Sequence, residues 1–359
     1  HDVLLLGLFQ TDGARIDADY ALASGTVYLG GAATMNGRLL WTGGTLTSTD
    51  IAHPGALSVN GALDMSGNTT VFLRDGVLLT HTNTGGGSRI SNTSGSGFNI
   101  ENGAVFRNTG ALTIDTPANS VVYIDQDTGP TGGRFENAGT LTKTGAGRVD
   151  FGNFGQLEFV QQGDFVVSQG LVTLGNSVTL GGTLQIGADA MVQIFSGTTT
   201  VGNNVAVGGA GTLNLAGGTL SLGNGASVSS RYLMNSGTLS IAGGSSAAVS
   251  DTFTWTGGTI NGGGTLTVSG VLDQNGSNTV HLADGTVFVH SNTSGGSRIA
   301  NTSSSGFNIE NGATFRNAGV LTLDVASASG ILYVDHDSGI SGTFENAGTL
   351  TKTGAGRVD

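Results

Sequence analysis

The sequence predicts an all-β chain wound into a parallel β-solenoid, and three observations carry that prediction. The chain contains itself: the stretch from Gly55 to Asp150 returns as Gly264 to Asp359 at an offset of 209. Within it, Phe-Glu-Asn-Ala-Gly-Thr-Leu-Thr-Lys-Thr-Gly-Ala-Gly-Arg-Val-Asp at 135–150 reappears unchanged at 344–359. Glycine is abundant, 64 of 359 residues, beside 3 prolines and no cysteine. Apolar and small polar residues alternate strictly, as in Thr212-Leu213-Asn214-Leu215, Thr238-Leu239-Ser240-Ile241 and Thr265-Leu266-Thr267-Val268. That is the period of a half-buried strand. A domain closed around one centre does not append half of itself, whereas a stack does, because each layer touches only its neighbours.

Composition removes the competing classes. Glycine without a Gly-X-Y period excludes collagen, and 37% hydrophobic residues exceed what a disordered linker needs. Charged residues are only 11%, long helix-forming side chains are scarce, and no segment sustains a capped helical period, so essentially no helix is expected. The net charge of −12, with 13 basic residues, offers no basic face to nucleic acid and suits a soluble, neutral-surfaced rod. Lack of cysteine fits a cytosolic protein or an exported bacterial one; the Gly/Ser/Thr/Asn-rich composition favours export.

Taken in order, the first element is the apolar run Val3–Phe9. It is far shorter than the ~18 residues of a membrane span and lacks a basic flank, so it predicts a buried first strand, with any export signal upstream of His1. Trp41 and Trp255 follow in equivalent Trp-Thr-Gly-Gly-Thr segments, predicted to be largely buried beside Leu39-Leu40 and Phe253. Their separation of 214 shows that the second copy lacks five residues after this point.

A corner motif, Phe-x-Asn-x-Gly-x-Leu, then recurs. It falls at Phe106-Asn108-Gly110, Phe135-Asn137-Gly139, Phe151-Asn153-Gly155, Phe315-Asn317-Gly319 and Phe344-Asn346-Gly348, with a relaxed form at Leu233-Asn235-Gly237. The motif predicts an apolar residue entering the core, Asn and Gly taking left-handed bends, and Leu opening the next strand. Stacking would set Phe above Phe and Asn above Asn. Residues 151–263 read as intervening solenoid of the same unit, making 1–359 one continuous stack. At about 20 residues a turn it would have roughly 18 uneven rungs. The second copy stops at Asp359 where the first runs on, so the chain reads as about one and a half units of a longer array, or as a subunit whose end abuts another.

The sharpest polar constellation is Asp125-Gln126-Asp127 and its copy Asp335-His336-Asp337. On a strand, residues i and i+2 share a face about 6.5–7 Å apart, within the carboxyl separation of inverting glycosidases. No Lys or Arg stands within several residues to hold an acidic sugar, which favours a surface loop or a weak structural Ca²⁺ contact over catalysis. The calcium β-roll nonapeptide is absent, since Gly208-Gly209-Ala210-Gly211 carries no Asp, and no cofactor is expected. The six histidines show no metal-ligand spacing, and His81 and His290 read as surface residues. Gly95-Ser96-Gly97 is a flexible turn rather than a nucleophile elbow. The Asn-x-Ser/Thr triplets at Asn68, Asn92, Asn292 and Asn301 are chance products of composition. Thr-x-Thr pairs at Thr45, Thr140, Thr265 and Thr349 suggest an ice-binding face, but strands judged equivalent read Leu-Asn-Leu or Leu-Ser-Ile.

With these residues in view, Gly-Thr-Leu-Thr-Lys-Thr-Gly-Ala-Gly at 139–147, Phe-Thr-Trp-Thr-Gly-Gly-Thr-Ile-Asn-Gly-Gly-Gly-Thr-Leu-Thr-Val at 253–268 and the Phe-x-Asn-x-Gly corners resemble a known repeat style. It is that of giant bacterial surface proteins, the filamentous-haemagglutinin-like and autotransporter-passenger β-helix adhesins. The resemblance implies a right-handed parallel β-helix, export to the cell surface, and adhesive or scaffolding work without catalytic residues. The expected function is a non-enzymatic extracellular rod of an adhesin or a self-assembling matrix or sheath filament. Its partners would be further copies or repeats and a carbohydrate or host surface, with neither nucleic acid nor a membrane span. The alternatives are a polysaccharide-binding or polysaccharide-cleaving β-helix and, more remotely, an ice-binding solenoid.

Overall fold

The computed structural model describes residues 8–9, 12–93, 95, 97–300, 306–337 and 339–359. The protein is an all-β parallel β-solenoid of about 15 turns, with no helix among the described residues. The turn count is lower than the roughly 18 expected, because turns run longer and less evenly than 20 residues. Leu57 pairs with Leu79, Leu79 with Phe106, Phe106 with Phe135, Phe135 with Phe159 and Phe159 with Val178, giving turns of 22, 27, 29, 24 and 19 residues. Of the Val3–Phe9 run only Leu8–Phe9 is described, a short strand pairing with Tyr28 and Leu29. The rest of that run, His1, Ser96 and Asn301 lie outside the described residues.

The chain forms two compact units, His1–Val192 and Gln193–Asp359. In the first, a turn consists of three short strands joined at corners, for example Val105–Asn108, Ala111–Asp115 and Val121–Asp125. The next turn repeats it as Arg134–Asn137, Thr140–Thr144 and Arg148–Phe151, pairing residue for residue in parallel. Parallel strands need a crossover, and here the other two sides of the turn supply it. Alternation puts Leu112, Ile114, Val122 and Ile124 inside and Thr113 and Tyr123 outside.

Aromatic rings stack along the bore. Phe106 and Phe135 lie 4.9 Å apart between centroids, Phe135 and Phe159 5.7 Å, and Phe151 stacks on Phe159 at 4.3 Å. In the second unit the same logic links Phe288, Phe315 and Phe344, each 5.1 Å from the next. Trp41 and Trp255 are fully buried, as their apolar neighbours predicted. Such pairs add about 0.5–1.5 kcal/mol each beyond the area they bury.

The corner motif stacks as expected, Phe above Phe and Asn above Asn, but its mechanism differs. Gly155 and Gly237 do take left-handed bends, at φ +70° and +80°, but neither the Asn nor the Gly of the 106–110, 135–139, 315–319 and 344–348 corners does; positive φ falls also on Asp75, Asn102, Asn119, Asn176, Asn204, Asp284 and Asn311. Glycine is required because the turns approach closely: a Cβ on Gly139 would lie 2.2 Å from the Gly110 carbonyl oxygen, and one on Gly348 2.2 Å from that of Gly319. The Phe151-Asn153-Gly155 match is not a corner of this kind, since Phe151 ends a strand on another side of the turn. The register continues from Phe135-Asn137-Gly139 to Phe159-Gln161-Gly163.

Candidate functional site

Two polar features are built into the stack of the first unit. One is internal. The column Met35, Val59, His81, Asn108, Asn137, Gln161, Leu180 runs through successive turns, so four polar residues stand between apolar ones. All four are buried, which corrects the surface assignment of His81. Asn108 Nδ2 donates to Asn137 Oδ1 at 2.6 Å and Asn137 Nδ2 to Gln161 Oε1 at 2.8 Å. The Asn108 carbonyl oxygen only accepts, so His81 Nδ1, 2.7 Å away, is the protonated nitrogen, and Nε2 accepts from Ser88 Oγ at 2.8 Å. In the second unit His290 stands over Asn317 and Asn346 in the same manner, with Nδ1 2.8 Å from Asn317 Oδ1, and is likewise buried. Burial lowers both imidazole pKa values, only partly offset by the Asn bond.

The other feature is the outer corner around Asp125. Strand Val121–Asp125 ends at this residue, so Asp127 lies beyond it in the loop, and the two carboxylates do not share a strand face. Asp125 is 1% exposed and Asp127 is exposed. Directly opposite Asp125 in the preceding turn is Asn99, 0% exposed. Both carboxylate oxygens of Asp125 and both amide atoms of Asn99 are buried without a hydrogen-bond partner. Burial, reinforced by the charges of Asp127, Asp150 and Glu101, pushes the Asp125 carboxyl up to about 8.

The neighbouring charges are already matched. Arg74 pairs with Glu101 at 2.6 Å and Arg148 with Asp150 at 2.8 Å, while Thr128 donates to Glu101 through its amide and its hydroxyl. The loop after Asp125 is braced by Gln126, whose Nε2 donates to the carbonyls of Thr128, Gly129 and Thr131 and whose Oε1 accepts from the Gln156 amide at 3.0 Å. In the copy, Asn308 lies opposite Asp335, again buried with both amide atoms unpartnered, but Asp335 and Asp337 are exposed. Among the described residues no three His, Asp or Glu side chains are grouped to hold a metal ion.

Further along the same corner, a shallow cleft of about 330 Å³ is lined by Gly103–Val105, Gly132–Arg134, Gln156 and Glu158. Arg134 is tied to Glu158 at 2.7 Å and Glu136 at 3.1 Å. Exposed Phe154 lies against Tyr123, 6.2 Å between centroids. Lys143, set on the inward face with Leu141 by the alternation of strand Thr140–Thr144, points into the bore and donates to the carbonyls of Gly145, Gly147 and Gln169; burial lowers its pKa to about 8. Asn92 and Asn292 are buried, which disfavours them as glycan acceptors.

The four Thr-x-Thr pairs do not stack on one another: Thr140 lies between Ala111 and Asp164, and Thr265 between Ser246 and Val287. The second unit instead aligns Thr198, Thr219, Thr238 and Thr259 in one outward column and Thr200, Ser221, Ser240 and Asn261 beside it. Comparison with protein-family models, with curated proteins and with solved structures found no match. What the chain is rests on its fold: a parallel β-solenoid with internal repeats and, among the described residues, no helix long and apolar enough to cross a membrane.

Proposed function

We propose that the protein is a non-enzymatic structural and adhesive segment of a bacterial surface filament, working outside the cell. The observation that carries this reading is the residue-for-residue parallel register of consecutive turns, which makes each turn the template for the next. An architecture of that kind extends by repetition and offers long polar faces for contact. A strand edge at the end of such a stack pairs readily with another, so self-association belongs to the same proposal. The test is negative-stain microscopy at rising protein concentration, together with binding to immobilised glycans and host-cell surfaces. Concentration-dependent filaments or saturable surface binding support the reading; separate short particles that bind neither surface overturn it.

A second reading, ice binding, is favoured by the threonine column of the second unit. Its rows, hydroxyl-bearing except at Asn261, repeat about every 4.8 Å between turns and about 6.8 Å along the strand, and the named residues of the two columns include no charged one. Inhibition of ice recrystallisation that is lost in Thr219→Tyr/Thr238→Tyr supports it. Ice growth unaffected by the unsubstituted protein removes it.

A further inference from the structure

We propose that the corner holding Asp125 binds Ca²⁺, with the Asp125 carboxylate and the Asn99 amide oxygen as buried donors and Asp127 as the exposed one. This goes beyond the structural reading above and does not depend on it.

Three observations point to a cation. First, a buried carboxylate ordinarily finds a donor, because leaving it without one is costly. Asp125 has none, and the side chain facing it, Asn99, is equally unpartnered on both its atoms. Two buried groups with unpartnered oxygens thus face each other across one strand spacing. Second, the protein's own cations are committed elsewhere: Arg74 serves Glu101 and Arg148 serves Asp150, while Asp127 adds further negative charge. Third, the pairing recurs in the copy, where Asn308 faces Asp335 and Asp337 follows two residues later.

The donor chemistry selects the ion. Only oxygens are on offer, and they are mixed, carboxylate and amide, with water and loop carbonyls left to complete the shell. Ca²⁺ accepts such irregular sets of six to eight oxygens, whereas Mg²⁺ demands near-octahedral geometry and gives up its waters reluctantly. The loop is also held in place, since Gln126 ties down three of its carbonyls and Gly129 takes the turn at φ +102°. In the copy the carboxylates are exposed, so that site is expected to be the weaker of two.

The test uses the full chain, stripped with EGTA and titrated with CaCl₂ by calorimetry at pH 7.5, with Tb³⁺ luminescence and Ca²⁺ competition as a second readout. Expected are saturable binding near the 10⁻⁴–10⁻³ M typical of extracellular calcium modules, a higher melting temperature with Ca²⁺, and little response to Mg²⁺. Asp125→Asn should weaken the tighter site at least tenfold, and Asp335→Asn should affect only the weaker. Asp127→Asn, in the exposed loop, gives the same comparison if Asp125→Asn does not fold. No Ca²⁺ binding, equal binding of Mg²⁺, or Ca²⁺ binding unchanged in both the Asp125 and Asp127 variants overturns the proposal. A melting temperature indifferent to Ca²⁺ that falls as pH rises from 4 to 8 overturns it too, and assigns the corner a proton instead.

Discussion

At the scale of single residues, the corner asparagines carry hydrogen-bond obligations that only their stacking reveals. Asn137 bonds the turn above and the turn below. Asn137→Ala should therefore cost about 1–3 kcal/mol by leaving buried polar atoms unpartnered. Asn153→Ala, at the sequence match that is not a true corner, should stay within about 0.5 kcal/mol. Urea unfolding of both variants checks the contrast. The motif was legible in the sequence because Phe, Asn and Gly recur together; its mechanism was not, since an asparagine's spacing does not tell a bend from a buried bond. The continuation at Phe159-Gln161-Gly163 was missed because Gln replaces Asn while making the same bonds.

The two buried histidines predict acid sensitivity. Folding lowers their pKa values below the ordinary 6.5, so the unfolded chain binds more protons beneath that pH. Their contribution to stability is complete above about 6.5 and is lost as pH falls through the depressed folded values. Thermal melts between pH 7 and 4.5 should show this decline, and a His81→Gln/His290→Gln variant should show a shallower one.

At the scale of elements, stability comes from ladders rather than from any one strand. Phe135 touches Phe106, Phe151 and Phe159, and is fully buried. Phe135→Ala should cost about 3–5 kcal/mol, measured by chemical denaturation, whereas removing an outward threonine such as Thr142 should scarcely register. Strand alternation was plain in the sequence and fixed which residues face inward. Turn length was not, because loops such as 126–133 lengthen one turn without disturbing the strands on either side. The Asp125 corner shows the same limit. The Asp-x-Asp pair was visible, but its burial beneath a loop, and its partner Asn99 twenty-six residues earlier, come only from register.

At the scale of the whole molecule, the duplication marked the architecture before any local motif did. In a stack each layer is stabilised mainly by its neighbours, so a sufficient run of turns folds without the rest. Residues 193–359, which form a compact unit, should accordingly give a β-rich circular dichroism spectrum and a cooperative melt when expressed alone. A random-coil spectrum would show that the unit relies on the residues before it.

The glycines at the corners stand where a side chain has no room: a Cβ on Gly110, Gly139 or Gly163 would land about 2 Å from the backbone of the turn before, and one on Gly133, Gly145 or Gly147 would land as near at other corners. Between those tight corners the turns range from 19 to 29 residues. Closeness is kept at the corners while the length of the loops between strands varies. Mutation is thus channelled outward: loops can be lengthened, shortened or exchanged to present new surfaces, and the column that bears them is left as it was.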